Sequence, residues 1–300
     1  MISSFTQLEE RVLSTGKKFR IAVAWAQDDN TLTAIARASE KGFVEGILIG
    51  NAAEIANTCK SLSIDDKLFN IIEAQNDIVA CNEAVRLTRN GEADIVMKGL
   101  VGTDKFLKAV MNRERGIMLP DAILTYVGAL EIPAYHKLLF LTDPAVIPFP
   151  DLDQKVAMAD YAIEMARKFG IEKPRVALIG AVEKMNKHFP NSVDYSVMCK
   201  MAERGQIRNC IMDGPLDIFL ACDSKSPAIK GVPTPINGDA DILLFPSLEA
   251  SNPFYKGLML FAGGELAGII RGTTKPVVVM SRSESERSKY CCIALACLMV

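Results

Sequence analysis

Short apolar segments alternate with longer amphipathic segments along nearly the whole chain. Apolar residues that recur with a period of 3.6 predict helices, and short apolar runs bounded by polar turn residues predict strands. The run Val277-Val278-Val279 is apolar at consecutive positions, as expected for a strand buried on both faces of a parallel sheet. The predicted strands are 20–24, 46–49, 70–73, 93–97, 122–127, 137–141, 175–179, 209–212, 240–245 and 276–280.

Helical segments lie between many of these strands, and the clearest are 29–41, 77–90, 104–115, 152–169 and 192–204. Strands that alternate with helices in this way are typical of βαβ units, in which the helix crosses over to the next parallel strand. We therefore predict an α/β fold built on mainly parallel sheets. A proline-rich stretch at 142–151 is a candidate hinge between two domains.

Composition narrows the class of protein. The chain has 300 residues, of which 49% are apolar and 23% charged, which is enough for one large unit or two ordinary domains with a sizeable core. The 34 basic residues balance 36 acidic ones without any polybasic run, so we expect neither nucleic acid nor an anionic membrane as a partner. We see no secretory signal and no apolar run long enough to span a membrane, and therefore expect a cytoplasmic protein.

The cysteines and histidines offer little chemistry. The eight cysteines form no CxxC motif and several lie within apolar stretches, which favours reduced, packed thiols. The only histidines, His136 and His188, are too few and too isolated for a histidine-rich metal site or an obvious Ser-His-Asp triad. We therefore expect no metal.

Parallel α/β sheets bind ligands at the carboxyl ends of their strands, and three predicted strand ends carry polar chemistry. In the first, Lys98, Gly99 and Thr103 stand between a strand and a helix, where a flexible backbone, a cation and a hydroxyl suit an anion. The pattern is not a P-loop, because the lysine precedes the glycines. Taken alone, it fits an ordinary turn with a solvated lysine better than a binding loop.

The second strand end carries Asp213 and Gly214, followed by Pro215. Gly-Pro predicts a sharp turn, and the aspartate could face a ligand or cap the next helix, with capping favoured from the residues alone. In the third, a buried strand runs into Ser281 and Arg282, and the following Ser283 with Glu286 predicts a capping box. An arginine there can hold a phosphate and a serine can contact a nucleophile or leaving group, although a solvated turn is equally consistent.

Together these segments resemble the phosphate acetyltransferase and butyryltransferase family. The segment 240–252, followed by Tyr255-Lys256 and then by Ser281-Arg282, resembles its C-terminal signature. The matching segments that precede it, in the same order as in the family, are 97–103, 139–143, 205–207 and 213–216. The resemblance covers nearly the whole chain, and its ending is more similar to the butyryl branch than to the acetyl branch.

This resemblance implies two three-layer α/β domains with mainly parallel sheets and an active site in the cleft between them, as in isocitrate and isopropylmalate dehydrogenases. The first domain would be discontinuous, comprising 1–143 and 267–300, and the second would comprise 144–266. The implied reaction moves a short acyl group, butyryl in this branch, reversibly between coenzyme A and inorganic phosphate. Acyl-CoA and phosphate are then substrates, no cofactor is bound permanently, and the chain forms a homo-oligomer.

The resemblance also assigns roles to residues. Ser281 would hydrogen-bond the CoA sulfur, and Arg282 would polarise the acyl carbonyl or hold phosphate, stabilising charge in the transition state. The residues implied in binding phosphate or CoA are Lys98, Gly99, Thr103, Asp213, Gly214, Asn252, Tyr255 and Lys256. Of these, Tyr255 is equally explained as a packing residue.

The chain departs from the family at three positions. Ser288 stands where acetyl-type members carry an aspartate thought to act as general base, and neither Glu284 nor Glu286 can be assigned that role. Lys108 replaces an arginine and Ser251 replaces a glycine. Three alternatives therefore stay open: an acetyl or other short-acyl transferase, an NAD-dependent oxidoreductase of the same fold, and a non-catalytic sensor of CoA or acyl phosphate.

Overall fold

The computed structural model describes residues 1–281 and 284–300, which form two compact α/β units. The terminal unit comprises residues 5–124 and 267–300, and the middle unit comprises residues 1–4 and 125–266. The α/β class with mainly parallel strands is confirmed. The domain boundaries drawn from the resemblance stay predictions; the compact units change at 124/125 rather than at 143/144, and again at 266/267.

Residues 1–281 and 284–300 contain eleven strands. Their bounds are β1 (Phe19–Ala24), β2 (Val44–Gly50), β3 (Phe69–Glu73), β4 (Ile95–Lys98), β5 (Thr125–Glu131), β6 (Leu139–Thr142), β7 (Arg175–Ile179), β8 (Ile211–Leu216), β9 (Ile242–Leu244), β10 (Glu265–Arg271) and β11 (Val277–Val278). In the terminal unit the order is β3-β2-β1-β4-β11-β10, and only the β10–β11 pair is antiparallel. In the middle unit the order is β5-β6-β9-β7-β8, and only the β5–β6 pair is antiparallel.

The same described ranges contain eleven α-helices and one short 3₁₀ helix, Asp66–Leu68. The α-helices are α1 (Phe5–Leu13), α2 (Asp29–Glu40), α3 (Ala52–Ser61), α4 (Asp77–Arg89), α5 (Thr103–Val110), α6 (Leu152–Lys168), α7 (Pro190–Glu203), α8 (Ile218–Cys222), α9 (Ser226–Lys230), α10 (Leu248–Ala262) and α11 (Glu286–Met299). None of the helices in the described part of the chain is long and apolar enough to cross a membrane.

Side-chain caps fix where several helices begin. Asp28 accepts a hydrogen bond from Thr31 N at the start of α2, and Asp151 and Gln154 form a full capping box at the start of α6. Each cap satisfies backbone N–H groups that have no partner within the helix. This explains why the predicted starts of the helices at 29 and 152 match the structure.

The C-terminal helix α11 lies inside the terminal unit. Its residues from Ser288 to Cys297 are all buried, and it packs on α1 and α2. Phe43 and Tyr290 form an edge-to-face pair with ring centroids 5.9 Å apart. The apolar C-terminus is therefore part of a core, and the eight cysteines, which all lie within the described residues, are thiols and not disulfides.

Four sequence predictions are corrected. The helix predicted to reach 115 ends at Val110, because the side chain of Asn112 accepts from Glu114 N and Arg115 N and forms a turn. The strand predicted to end at 212 continues to Leu216, so Gly214 and Pro215 lie in the strand and not in a turn. Strand β10 was missed. The last helix begins at Glu286 with Ser285 as its cap, and the predicted cap Ser283 lies outside the described residues.

Candidate functional site

Three parallel neighbours, β1, β4 and β11, end at one edge of the terminal unit. Ala24 pairs with Lys98, and Met97 pairs with Val278. Because parallel strands have their carboxyl ends on the same side, the residues that follow β4 and β11 leave the sheet at the same edge. The structure therefore brings the segment of Lys98 and Gly99 and the segment ending in Ser281 to one sheet edge.

Lys98 is held inside the loop that follows β4. Its side chain is buried, with the residue only 5% exposed, and its ammonium Nζ donates to the carbonyl oxygens of Gly99 and Val101, each at 3.1 Å. The interpretation of Lys98 as a solvated lysine in an ordinary turn was therefore wrong. A buried ammonium stabilises the loop by charge-assisted hydrogen bonds and creates positive potential where the loop meets the next helix.

Gly99 is required by a close approach between two strand ends. A Cβ atom at this position would lie 2.5 Å from Trp25 O and 2.8 Å from Ala24 O, and Gly99 N donates to Ala24 O at 2.9 Å. Any side chain here would push the β4 loop away from the end of β1. The glycine therefore has a packing reason that holds with or without a ligand.

Thr103 is the exposed first residue of α5. The residue before it, Gly102, has no side chain with which to cap the helix. First-turn N–H groups without a capping side chain favour an anion, as does the helix dipole. In the terminal unit, Thr103 thus combines a hydroxyl with a helix start of the kind that binds phosphate.

Ser281 is exposed and held by its neighbour Glu284. Its backbone N–H donates to Oε2 of Glu284 at 2.8 Å, and Glu284 is only 8% exposed. The predicted catalytic residue Arg282 lies outside the described residues, so its role stays a prediction. Sequence reasoning weighed Glu284 only as a general base, whereas the structure shows it as an acceptor for the Ser281 backbone.

Helix α2 and its cap Asp28 contact Glu284 and Lys289. Asn30 Nδ2 donates to Glu284 O at 3.3 Å, and the ammonium of Lys289 donates to Asp28 Oδ1 at 2.7 Å and to Thr31 Oγ1 at 3.1 Å. Burial alone would raise the pKa of Asp28, but hydrogen bonds from Lys289 and Thr31 outweigh it and hold that pKa below the usual range. These contacts join residues far apart in the sequence, which is why sequence reasoning missed Asn30 and Lys289.

Ser288, which stands where acetyl-type relatives carry an aspartate, is fully buried in the first turn of α11. Its backbone N–H donates to Ser285 Oγ at 3.0 Å. The position is thus part of the packed start of the helix. The nearby Glu286 faces Arg37, with 3.5 Å between Oε1 and the guanidinium.

Asp213 and Gly214 lie within β8 of the middle unit rather than after it. Asp213 pairs with Ala177, and the ladder then shifts so that Leu216 pairs with Ile179. A Cβ on Gly214 would lie 2.5 Å from Leu178 Cβ. The helix after the strand is capped by Asp217, whose side chain accepts from Leu220 N, so the prediction that Asp213 is the cap was wrong.

Helix α10 carries the other predicted binding residues of the middle unit. Asn252 Nδ2 donates to Pro144 O at 2.8 Å, which ties the helix to the loop after β6. Tyr255 is buried in the hydrophobic core of the unit, in agreement with its interpretation as a packing residue. Lys256 is exposed, with its ammonium 6.0 Å from the centre of the Tyr255 ring. The role of Lys256 and Asn252 in binding stays a prediction.

Asp143 organises the loop to which Asn252 binds. Its buried carboxylate accepts from Thr125 Oγ1 at 2.8 Å, from Tyr126 N at 3.0 Å and from Ala145 N at 2.7 Å. Burial raises the pKa of Asp143, against the effect of these hydrogen bonds. The amide groups of Val146 and Ile147 also donate to it, which makes five donors. The Thr-Asp-Pro sequence marked Asp143 as part of a hinge, but these contacts could not be read from the sequence.

Comparison with known proteins gives one consistent answer. Residues 79–297 match the family described as "Phosphate acetyl/butaryl transferase". The chain is 38% identical over 299 residues to a phosphate butyryltransferase of Clostridium acetobutylicum, a match that spans 100% of this chain and 99% of the relative. It is 34% identical over 284 residues to a phosphate acetyltransferase of Thermotoga maritima, spanning 95% of this chain and 96% of the relative.

A solved structure agrees with these relatives. The crystal structure of a branched-chain phosphotransacylase from Enterococcus faecalis V583 superposes with a TM-score of 0.81 at 28% identity, and the match covers 93% of this chain and 97% of that one. The agreement extends over both compact units.

Proposed function

The chain belongs to the phosphate acetyl/butyryl transferase family, and we propose that it moves a butyryl group reversibly between coenzyme A and inorganic phosphate. The observation that carries this proposal is the 38% identity to a phosphate butyryltransferase along the full length of both chains. The enzyme is a transferase. Acyl-CoA and phosphate are its proposed substrates, and no permanently bound cofactor is needed for the reaction.

The proposed reaction is a direct displacement. An oxygen of phosphate attacks the thioester carbonyl, the new C–O bond forms, and the C–S bond breaks to give acyl phosphate. The proton of the attacking phosphate goes to the leaving CoA sulfur or to solvent. Such a reaction is mainly a matter of positioning the two substrates and stabilising charge.

We assign phosphate binding to the terminal unit. The buried ammonium of Lys98 supplies positive charge to its loop, and Thr103 opens a helix whose first-turn N–H groups favour an anion. Ser281 leaves the same sheet edge with its backbone fixed by Glu284 and is proposed to hydrogen-bond the CoA sulfur. Arg282 is proposed to polarise the acyl carbonyl.

We assign CoA binding to the middle unit, where Asp213, Gly214, Asn252, Tyr255 and Lys256 contribute to it directly or by supporting the site. Lys256 is the strongest of these for the phosphates of CoA, since its ammonium is exposed. Asn252 contributes by holding the loop after β6 through Pro144 O. Tyr255 and Gly214 act through packing, because one is buried and the other touches the neighbouring strand.

We also propose a cytoplasmic homo-oligomer. The middle unit exposes four large apolar side chains on α8, α9 and α10, each at least 66% exposed: Phe219, Ile229, Leu260 and Phe261. Exposed apolar side chains that form one patch mark a protein–protein interface, so these four residues are the proposed contact with a second copy. Burying them against a second copy would remove the cost of exposing them to water.

The first test is phosphate-dependent CoA release from acetyl-, propionyl-, butyryl- and isobutyryl-CoA. Wild type should require phosphate and turn over butyryl-CoA fastest, and Ser281→Ala and Arg282→Ala should each lose most of the activity. Ser61→Ala and Arg208→Ala, at exposed positions, are the matched controls and should behave as wild type. If CoA release is fastest with acetyl-CoA, the proposed acyl preference becomes acetyl and not butyryl. If folded protein releases no CoA, the proposal that the chain is a transferase is refuted.

A further inference from the structure

A cavity of about 160 Å³ lies wholly within the middle unit. It is formed where the chain leaves β7, β8 and β9, at the edge where parallel sheets bind ligands. Residues that share an apolar side chain or ring make up most of its wall: Ile179, Val182, Phe189, Tyr195, Pro215 and Pro246. Pro215, which lines the cavity, directly follows the predicted site residues Asp213 and Gly214 in the sequence.

The wall has four polar side chains, Lys184, Asn191, Ser192 and Tyr195, and the last two are engaged elsewhere. Tyr195 is fully buried, and its hydroxyl donates to Ile179 O at 3.0 Å, which leaves the ring as the surface that the cavity meets. Ser192 Oγ accepts from Asn186 N at 3.0 Å and lies 3.6 Å from the sulfur of Met185. A ligand entering this space would therefore meet mainly hydrocarbon.

The cavity has a narrow floor and an open rim. A Cβ on Gly180 would lie 2.9 Å from Pro215 Cβ, so the two strand exits already touch at that point. Val182 and Phe189 in the wall are each partly exposed, so a ligand can enter from solvent without unfolding the unit.

The volume of the cavity limits it to a small ligand. A cavity of about 150 Å³ lined by aliphatic and aromatic side chains admits benzene, which has more carbon atoms than a butyryl chain. We propose that this cavity receives the hydrocarbon part of a short acyl group carried by CoA, and that Val182 sets the preferred chain length. The inference rests on the proposed function and deepens it, because it gives the transferase a physical basis for its acyl preference.

The test compares two identical substitutions at equally exposed valines. Val182 lines the cavity and Val197 does not, and both are 40% exposed. Val182→Phe should lower the ratio of kcat/KM for butyryl-CoA to that for acetyl-CoA by about tenfold or more, since one methylene in an apolar pocket is worth a factor of that order. Val182→Ala should extend turnover to pentanoyl- and hexanoyl-CoA. Val197→Phe should leave the chain-length profile of wild type unchanged.

The outcomes separate this inference from the proposed function. Active enzyme whose butyryl-to-acetyl ratio is the same in Val182→Phe, Val197→Phe and wild type would overturn the cavity as acyl site and leave the transferase standing. Wild type that releases no CoA from any acyl-CoA would overturn both. Since Val182→Ala removes only methyl groups at a partly exposed position, it keeps the test decisive even if the phenylalanine variant folds poorly.

Discussion

The backbone N–H of Ser281 donates a 2.8 Å hydrogen bond to Oε2 of Glu284. The contact is partly buried, since Glu284 is 8% exposed whereas Ser281 is exposed. A second bond, from Glu284 N to Ser281 O at 3.3 Å, closes the turn. A carboxylate three residues on thus holds the backbone of the proposed catalytic serine. Hydrogen bonds to a charged acceptor are stronger than neutral ones, and more so when water is excluded.

Replacing Glu284 should therefore disturb catalysis more than substrate binding. We expect Glu284→Ala to lower kcat by about tenfold to a hundredfold, which corresponds to the roughly 1.5–3 kcal/mol of a hydrogen bond to a charged group. The KM for phosphate should change little. Steady-state kinetics with butyryl-CoA and phosphate measure both parameters, and Glu286→Ala serves as control because its carboxylate faces Arg37.

Glu284→Gln distinguishes a positioning residue from a general base. Glutamine keeps an oxygen that can accept from Ser281 N but cannot take up a proton at neutral pH. If Glu284 acts by positioning, this variant should recover most of the kcat lost in Glu284→Ala and keep the wild-type pH profile. A glutamine variant as inactive as the alanine variant would instead make Glu284 the base that the chain lacks at Ser288.

The buried pair of Asp28 and Lys289 should make the terminal unit sensitive to acid. Lys289 is 4% exposed and lies 2.7 Å from Asp28, and the pKa of Asp28 is held below its ordinary value of 3.8. The stabilisation is present in full above that ordinary value and is lost as the pH falls through the lower pKa of the folded state. Denaturant unfolding near neutral pH and at about pH 3 should show the loss, and Asp28→Asn should reduce this difference.

Breaking the pair from one side should be costly. Asp28→Ala leaves a buried ammonium with much of its charge uncompensated, so we expect the free energy of unfolding to fall by about 3–5 kcal/mol. The matched control is Lys105→Met, which removes an ion pair of the same 2.7 Å length from an exposed site. That variant should lose no more than about 1 kcal/mol. Equal losses in the two variants would mean that burial does not strengthen the Asp28–Lys289 pair.

The fold class could be predicted from the sequence because strands and helices are indicated by local hydrophobic periodicity. The predicted strand at 175–179 matches β7 residue for residue, since Pro174 and Gly180 bound it on either side. Strand β10 was missed because Ala267 and Gly268 weaken its β signal, although its residues 266–270 are buried. Asp213 was placed in a turn because Gly-Pro usually marks one, whereas here the strand continues through it.

The candidate site was predictable only in part. Family resemblance pointed to Lys98 and Ser281, and the parallel strands β4 and β11 bring their segments to one edge. The contacts that support them join Asn30 to Glu284 and Asp28 to Lys289. Such contacts depend on how distant segments pack, so neither spacing nor composition contains them.

Lys98 offers a prediction about phosphate. Its ammonium is buried and donates to two loop carbonyls, so its removal should both loosen the loop and delete the positive charge. We expect Lys98→Met to lower kcat/KM for phosphate by about tenfold to a hundredfold, with a smaller effect on the KM for butyryl-CoA. Lys98→Arg should not restore activity, because the longer side chain with its planar guanidinium does not reproduce the two ammonium bonds to Gly99 O and Val101 O.

The control for this prediction removes a positive charge from the helix that follows. Lys105→Met should leave kcat/KM for phosphate near that of wild type, since its exposed ammonium pairs with Asp77. A similar loss in both lysine variants would point to general electrostatic attraction of phosphate rather than to a specific role for Lys98. Raising the salt concentration tests this, because screening weakens exposed charges more than buried ones.

A substitution at Gly214 distinguishes a role in strand packing from a role in ligand binding within the middle unit. An added Cβ would lie 2.5 Å from Leu178 Cβ and 2.6 Å from Leu178 O, so Gly214→Ala must force β8 away from β7. Overpacking of this kind costs about 1–3 kcal/mol, and we expect that loss in thermal or denaturant unfolding without any ligand present. Gly257→Ala is the matched control, since a Cβ there meets no atom within 4 Å and alanine in a helix should stabilise by about 0.5–1 kcal/mol. A Gly214→Ala protein that is as stable as wild type but binds CoA poorly would show that this glycine serves the ligand and not the sheet.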